Sequence, residues 1–188
     1  MANILILSAG RRVSLVRGFQ SAVAAEQGLS AKVLAADMYP DLSAACQISD
    51  GAIRLPHVFD DAYSGALMEI CRSLDVRLVV PTIDTELPVL ADLRADFRMA
   101  GIELLVSSEK FVAECSDKRR TAQFFENHNL PTPALYSPES ATFPVLVKPY
   151  DGSCSAGIVK ISSPDQITDQ IRSDQKNIYC QYIDHAEH

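Results

Sequence analysis

The chain has 188 residues, 47% of them hydrophobic and 22% charged, with a formal net charge of −7 and a pI of about 5.0. That acidic balance excludes a general nucleic-acid binder, which needs a basic face, and no apolar run reaches the ~18 residues of a membrane span. The length suits one large or two small domains with a real core.

Met1-Ala2-Asn3 leads directly into an apolar run, with no basic n-region or cleavage site, so no signal peptide is read. The five cysteines, Cys46, Cys71, Cys115, Cys154 and Cys180, form no C-x-x-C pair. Free thiols in a reducing cytoplasm are expected, with Cys71 on an apolar helix stripe and in the core. His185 and His188 lie three apart but lack further ligands, so no metal site is assigned.

Asn3–Leu7 is a continuous apolar run closed by Ser8-Ala9-Gly10, as in a buried parallel strand. Val13, Val16, Phe19 and Val23 follow at helical spacing, and Gly28 is a plausible stop. Strands are expected at Lys32–Ala36, ending at Asp37, and at Ala52–Leu55, closed by Pro56. Asp60 or Asp61 can cap a helix carrying Leu67, Ile70, Cys71 and Leu74. Arg77–Val80 is the next strand, and Leu87, Leu90, Leu93 and Phe97 mark a helix that Gly101 ends. Ile102–Val106 is the last strand of this part. Strands alternating with helices predict a Rossmann-like parallel sheet, α/β in class, over residues 1–107.

From Ser108 the pattern changes. A short helix and a longer one near Asp117–Asn127 lead into Leu130-Pro131-Thr132-Pro133, a rigid extended boundary. Strands are expected at Val145–Lys148, Gly157–Ile161 and Ile178–Ile183, with a helix from Ser163-Pro164 to about Ser173. These make a small α+β half-domain over residues 108–188.

The most informative stretch is Phe143–Ile158, FPVLVKPYDGSCSAGI. An apolar strand ends in Lys148-Pro149, a Gly/Ser loop follows, and a second β-branched run closes it. Backbone amides in such a loop can converge on phosphate oxygens, and a lysine before it adds a point charge. The plain alternative is a β-hairpin whose Gly and Ser only make the turn. No GxxxxGK[ST] is present, so this is not a P-loop.

VKPYDGSCSAGI resembles the phosphate-loop segment of the ATP-grasp superfamily, especially its carbamoyl-phosphate-synthase-like, carboxylate–amine ligase members. SAGRRVSLV, PTIDTELPVLA, SDKRRTAQFFENHNLPTP and CQYIDHAEH resemble further segments in the same order, so the likeness runs from end to end. It implies a pre-ATP-grasp domain followed by the first ATP-grasp subdomain. It implies ATP and Mg²⁺ as cofactors, and an ATP-driven joining of a small carboxylate to an amine through an acyl-phosphate. The Mg²⁺ ligands are expected on a later subdomain outside this chain. The chain is therefore expected to be a fragment, a truncated product or half of a split enzyme. A missing C-terminal half or a second copy is its expected partner, with neither nucleic acid nor membrane.

Residue by residue, the resemblance gives Lys148 and Lys118 to the nucleotide. The loop Gly152, Ser153, Cys154, Ser155 and Gly157 falls to its phosphates, and Glu187 to its ribose. Relatives commonly have Gly at the place of Cys154, and often at Ala156. They place Glu or Gln for the adenine amino group where this chain has Cys180, so either Gln181 takes that role through a small register shift or adenine selection rests on the strand backbone, with the Ile183 main chain at the usual contact. For substrate the candidates are Gly10, Arg11 and Arg12 after the first strand, Asp37 after the second, and Thr82, Asp84 and Glu86 after the fourth. They are expected at the carboxyl end of the sheet, where open α/β folds bind ligands. For Asp37 a turn or cap role is equally natural, and Asp84 or Thr85 can instead cap the next helix. One rival reading is a non-catalytic nucleotide- or metabolite-binding module that regulates a partner. Another is an unrelated Rossmann enzyme, against which the missing GxGxxG counts.

Overall fold

The structure is a computed structural model that describes residues 2–28 and 30–184. The chain divides into two compact units, Met1–Val112 and Ala113–His188.

The first unit is a five-stranded parallel sheet. Its strands are β1 (Asn3–Ile6), β2 (Val33–Asp37), β3 (Gly51–Arg54), β4 (Val76–Val80) and β5 (Glu103–Leu104). They lie in the order β3-β2-β1-β4-β5. The period of two along the strands sorts the core onto both faces. Leu5, Leu7, Leu34 and Ala36 join one cluster, with Tyr63, Leu67 and Cys71 of α3 (Tyr63–Ser73) and Leu90 and Phe97 of α4 (Leu87–Met99). Ile6, Val33 and Ala35 join the other, with Val16 of α1 (Val13–Ala25) and Ala45 and Cys46 of α2 (Ala44–Ile48). A strand buried on both faces has no polar alternation, which is why β1 and β2 read as unbroken apolar runs.

Three features differ from the sequence reading here. Helix α3 starts on Ala62 with no side-chain cap bond, so neither Asp60 nor Asp61 is its cap, and Asp60 instead accepts from the Ala62 N–H at 2.9 Å. Helix α2 was not expected. It spans five residues, too few for a helical stripe, and depends on Ser43, whose hydroxyl accepts from the Cys46 N–H at 3.2 Å and donates to the Gly10 carbonyl at 2.9 Å. Strand β5 is shorter than Ile102–Val106 because only Leu78 and Val79 of β4 pair with it.

The second unit contains α6 (Lys118–Asn127) and a four-stranded antiparallel sheet in the order β6-β9-β7-β8. These are β6 (Leu135–Tyr136), β7 (Val145–Pro149), β8 (Val159–Ile161) and β9 (Asn177–Gln181). Val145, Val147, Ile161, Ile167 and Tyr179 form its core. Helix α5 (Glu109–Ser116) precedes α6 in the chain. Strand β6 is an addition, two residues long and so without a readable alternation. The expected helix from Ser163 is also corrected. A single 3-10 turn at Pro164–Gln166 ends at Ile167, which is extended, and α7 (Asp169–Ser173) starts afresh on a Thr168 cap. The Gln166 amide oxygen accepts from Ser162 N–H at 2.7 Å, and the Ser163 side chain makes no cap bond. Burial of Ile167 in the core outweighs continuing the helix.

All five cysteines are free; Cys46, Cys71 and Cys180 are buried. Burial pushes the Cys71 thiol up to about 12, so it is an inert core group. Among the described residues no helix is long and apolar enough to cross a membrane.

Candidate functional site

In the second unit, Asp117 caps α6 by accepting from the Arg119 N–H at 2.8 Å, and this fixes Lys118 at the helix start. The Lys118 backbone N–H donates to the Tyr150 carbonyl at 3.0 Å. Its ammonium donates to the Tyr150 carbonyl at 3.3 Å and to the Gly152 carbonyl. Lys118 thus clamps the base of the Gly/Ser loop and keeps one N–H free. The loop is held from the other side too. Tyr150 N–H donates to the Lys176 carbonyl at 2.9 Å, and the Lys176 ammonium meets Asp151 at 2.8 Å. The Arg119 guanidinium lies 3.7 Å over the Tyr150 ring. Within the loop, Cys154, Ser155 and Gly157 have φ of 53°, 59° and 72°, the left-handed region.

A cavity of about 160 Å³ opens beside that loop, lined by Lys118 and Thr121 of α6, Thr132, Lys148 of β7, and Ile178 and Cys180 of β9 among others. Lys148 sits there because the β7 register sets it against Ile178. Burial pushes the Cys180 thiol up, and the charges of Lys148 and then Lys118 pull against that. Two lysines on one cavity suit an anion, and Leu135, Pro133 and Ile178 add apolar lining. Lys148 and Lys118 therefore line one cavity, while loop residues 152–157 lie outside its lining. Gln181 is exposed, and its amide oxygen accepts from Ala134 N–H at 3.2 Å. Ile183 is exposed, and Glu187 lies outside the described residues.

In the first unit a second cavity, of about 170 Å³, lies beyond the carboxyl ends of β1, β2 and β3. Ser8, Asp37, His57, Tyr63, Thr85 and Glu86 supply its polar lining. The chain leaves β1 through Ser8 at φ 44° and Gly10 at φ 45°, a turn that fixes both neighbours. Thr82 hydroxyl donates to the Leu7 and Ser8 carbonyls at 3.0 and 2.8 Å. Gly10 N–H donates to Asp37 Oδ2 at 3.0 Å, and Tyr39 N–H to Asp37 Oδ1 at 3.1 Å. Glu86 is 2% exposed, and its Oε1 accepts from the Ser8 and Tyr63 hydroxyls at 2.7 and 3.0 Å. Burial pushes the Glu86 carboxyl up, against those two bonds and the Thr82 backbone, which favour the ion.

Of the seven residues expected near substrate, Asp37 and Glu86 line this cavity. Thr82 is committed to the β1 carbonyls, while Asp84, Arg11 and Arg12 are exposed, Arg12 reaching the Thr82 carbonyl at 3.4 Å. No side-chain cap bond forms at α4 or at the 3-10 turn before it. Tyr63 and His57 were not legible as lining residues. Tyr63 opens an apolar helix and reads as core, yet a buried tyrosine hydroxyl calls for a polar partner. Among the described residues no group of three or more His, Cys, Asp or Glu could hold a metal ion.

Residues 4–105 match the family of PylC-like, N-terminal domains, and residues 115–188 match the ATP-grasp domain family ATP-grasp_3. Among solved structures, an L-amino acid ligase from Bacillus licheniformis is similar at a TM-score of 0.70 and 16% identity. A biotin carboxylase from Campylobacter jejuni, in a complex with β,γ-ATP, is similar at 0.69 and 15%. The match covers 98% and 97% of this chain and 45% of each of those two. D-alanine–D-alanine ligase from Bacillus anthracis follows at 0.57 and 15%, covering 98% of this chain and 58% of that one. No curated protein matches the chain. At these identities the structures establish the fold: a parallel sheet followed by the antiparallel sheet with which an ATP-grasp domain begins.

Proposed function

We propose, from the premise that this chain belongs to the PylC-like, N-terminal domain family and continues into an ATP-grasp domain, that it is the ATP-binding portion of a carboxylate–amine ligase. The observation that carries this reading is the pair Lys118 and Lys148 on one cavity, with Lys118 bonded to the base of the Gly/Ser loop. Residues 1–107 are the Rossmann-like pre-ATP-grasp domain, and residues 108–188 the first ATP-grasp subdomain.

Lys148 and the free N–H of Lys118 meet phosphate oxygens as charge-assisted donors. The Gly152 and Ala156 N–H groups donate to the Pro149 and Ser153 carbonyls at 3.4 and 3.1 Å, so the amides of Ser153, Cys154, Ser155 and Gly157 are the neutral donors offered to the same oxygens. The base rests on the apolar side of the cavity, with the Cys180 thiol at the place where relatives carry a stronger acceptor. In the reaction a substrate carboxylate oxygen attacks the γ-phosphorus of ATP and ADP leaves. The amine nitrogen then attacks the resulting acyl-phosphate carbonyl, phosphate leaves, and the nitrogen loses a proton. The protein's part is positioning and neutralisation of charge. Mg²⁺, when bound, offsets phosphate charge, and no described residue is assigned as its ligand. Carbamoyl-phosphate-synthase likeness, a cytoplasmic location, and completion of the cleft by a later subdomain or a second copy belong to the same proposal.

Calorimetry with ATP and GTP on wild type and Lys148→Ala tests it. A charge-assisted contact of roughly 1.5–3 kcal/mol corresponds to about ten- to hundredfold weaker ATP binding in the variant. Equal affinity of the two proteins for ATP would overturn the assignment.

A further inference from the structure

The first-unit cavity carries an acceptor surplus. The Ser8 and Tyr63 hydroxyl hydrogens are both spent on Glu86 Oε1, so each hydroxyl has only lone pairs left to offer. Glu86 Oε2 is buried and makes no hydrogen bond of ordinary geometry, although the Thr82 backbone lies close enough to favour the carboxylate's charge. Asp37 faces the same space, each of its oxygens bound to one backbone N–H and keeping a further lone pair. Among the described residues no Lys or Arg lines the cavity; His57 does, with its Nδ1 taken by the Phe59 N–H at 3.3 Å. A buried carboxylate without a cation is costly, and the nearby charge of Asp37 adds to that cost. Among the described residues no group of three or more His, Cys, Asp or Glu is suited to a metal ion; a small organic donor that carries positive charge would complement these acceptors. Leu55, Val58 and Ile83 supply an apolar wall for its carbon atoms.

We propose that this cavity binds the ammonium group of a small aliphatic primary amine, with Glu86 and Asp37 accepting its N–H bonds and Leu55, Val58 and Ile83 covering its stem. Calling that amine the ligase's nitrogen substrate rests on the reading above; its binding does not.

The test is calorimetry on the whole chain with n-propylammonium, tetramethylammonium and 1-propanol. A primary ammonium carries both charge and N–H donors, tetramethylammonium only charge, and propanol a single neutral donor. The expected result is that n-propylammonium binds at least about tenfold more tightly than either control. Glu86→Gln, checked for folding by circular dichroism, is expected to weaken it by at least about tenfold. Should that variant not fold, the wild-type ranking of the three probes decides. Equal binding of n-propylammonium and 1-propanol, no binding of n-propylammonium, or an unchanged affinity in folded Glu86→Gln overturns the proposal. The same samples are titrated with ATP. ATP binding without amine binding sinks this inference alone, whereas amine binding without ATP binding sustains it and sinks the nucleotide reading.

Discussion

The Lys118→Met, Lys148→Met double variant is expected to bind ATP roughly 10²–10⁴-fold more weakly than wild type, from two charge-assisted contacts of about 1.5–3 kcal/mol each. The two lysines line one cavity but act by different routes. Lys148 projects from β7 with no carbonyl partner in the loop, so its loss removes a point charge. Lys118 also holds the Tyr150 and Gly152 carbonyls, so its loss releases the loop as well. Coupling is therefore expected, and a double-mutant cycle by calorimetry measures it. The deficit of Lys118→Met should depend on loop order, so protease should nick that variant faster near residues 151–157, while Lys148→Met stays as resistant as wild type. If the double variant binds ATP no more weakly than Lys148→Met alone, Lys118 is a solvated helix residue and a loop tether only.

The part of the fold that was legible in the sequence is the part where pattern and burial agree. β1 from Ile4 and β2 as far as Ala36 are apolar because both faces are covered, and α3 and α4 show stripes because one face is. The strand–Lys–Pro–loop order gave β7 and β8 directly. What escaped has physical causes. Helix α2 and strand β6 are too short for periodicity, and each exists through contacts remote in sequence: Ser43 with Gly10, and Leu135 with Cys180. The stretch after Ser163 held a helix start signal, but Ile167 is drawn into the core and breaks the run. The same limit applies to the sites. Lys118 and Lys148 carry their own motif. Tyr63, by contrast, becomes a cavity residue only because the sheet order brings the end of β1 beside the turn after β4. There Ser8 and Tyr63 converge on one oxygen of Glu86. No spacing rule connects residues 8, 63 and 86.

Gly157→Val is expected to lower ATP affinity by at least about a hundredfold, through the shape of the loop rather than its charge. Gly157 has φ of 72°, and a Cβ there would lie 3.1 and 3.2 Å from Cγ and Cδ of Pro149. The backbone conformation alone costs an L residue roughly 1–2 kcal/mol, and a β-branched side chain against a proline ring adds to it, since neither can turn away. A Cβ added to Gly152, near the other end of the loop, would also meet Pro149, 3.3 Å from its Cβ. The loop therefore folds over that ring, and a valine is expected to shift the loop amides proposed to meet phosphate. Cys154→Gly is the matched change of opposite sign. Cys154 already has φ of 53° with a side chain attached, a strain of roughly 1–2 kcal/mol that glycine relieves. Glycine returns about 0.4–1 kcal/mol of that as extra freedom in the unfolded chain. A net gain of up to about 1.6 kcal/mol corresponds to ATP binding tighter by at most about fifteenfold. Calorimetry on the two variants reads both signs against wild type. Loss in Gly157→Val with gain in Cys154→Gly identifies loop geometry as the determinant of phosphate binding. Unchanged affinity in a folded Gly157→Val would mean that phosphate is held by the lysines without the loop.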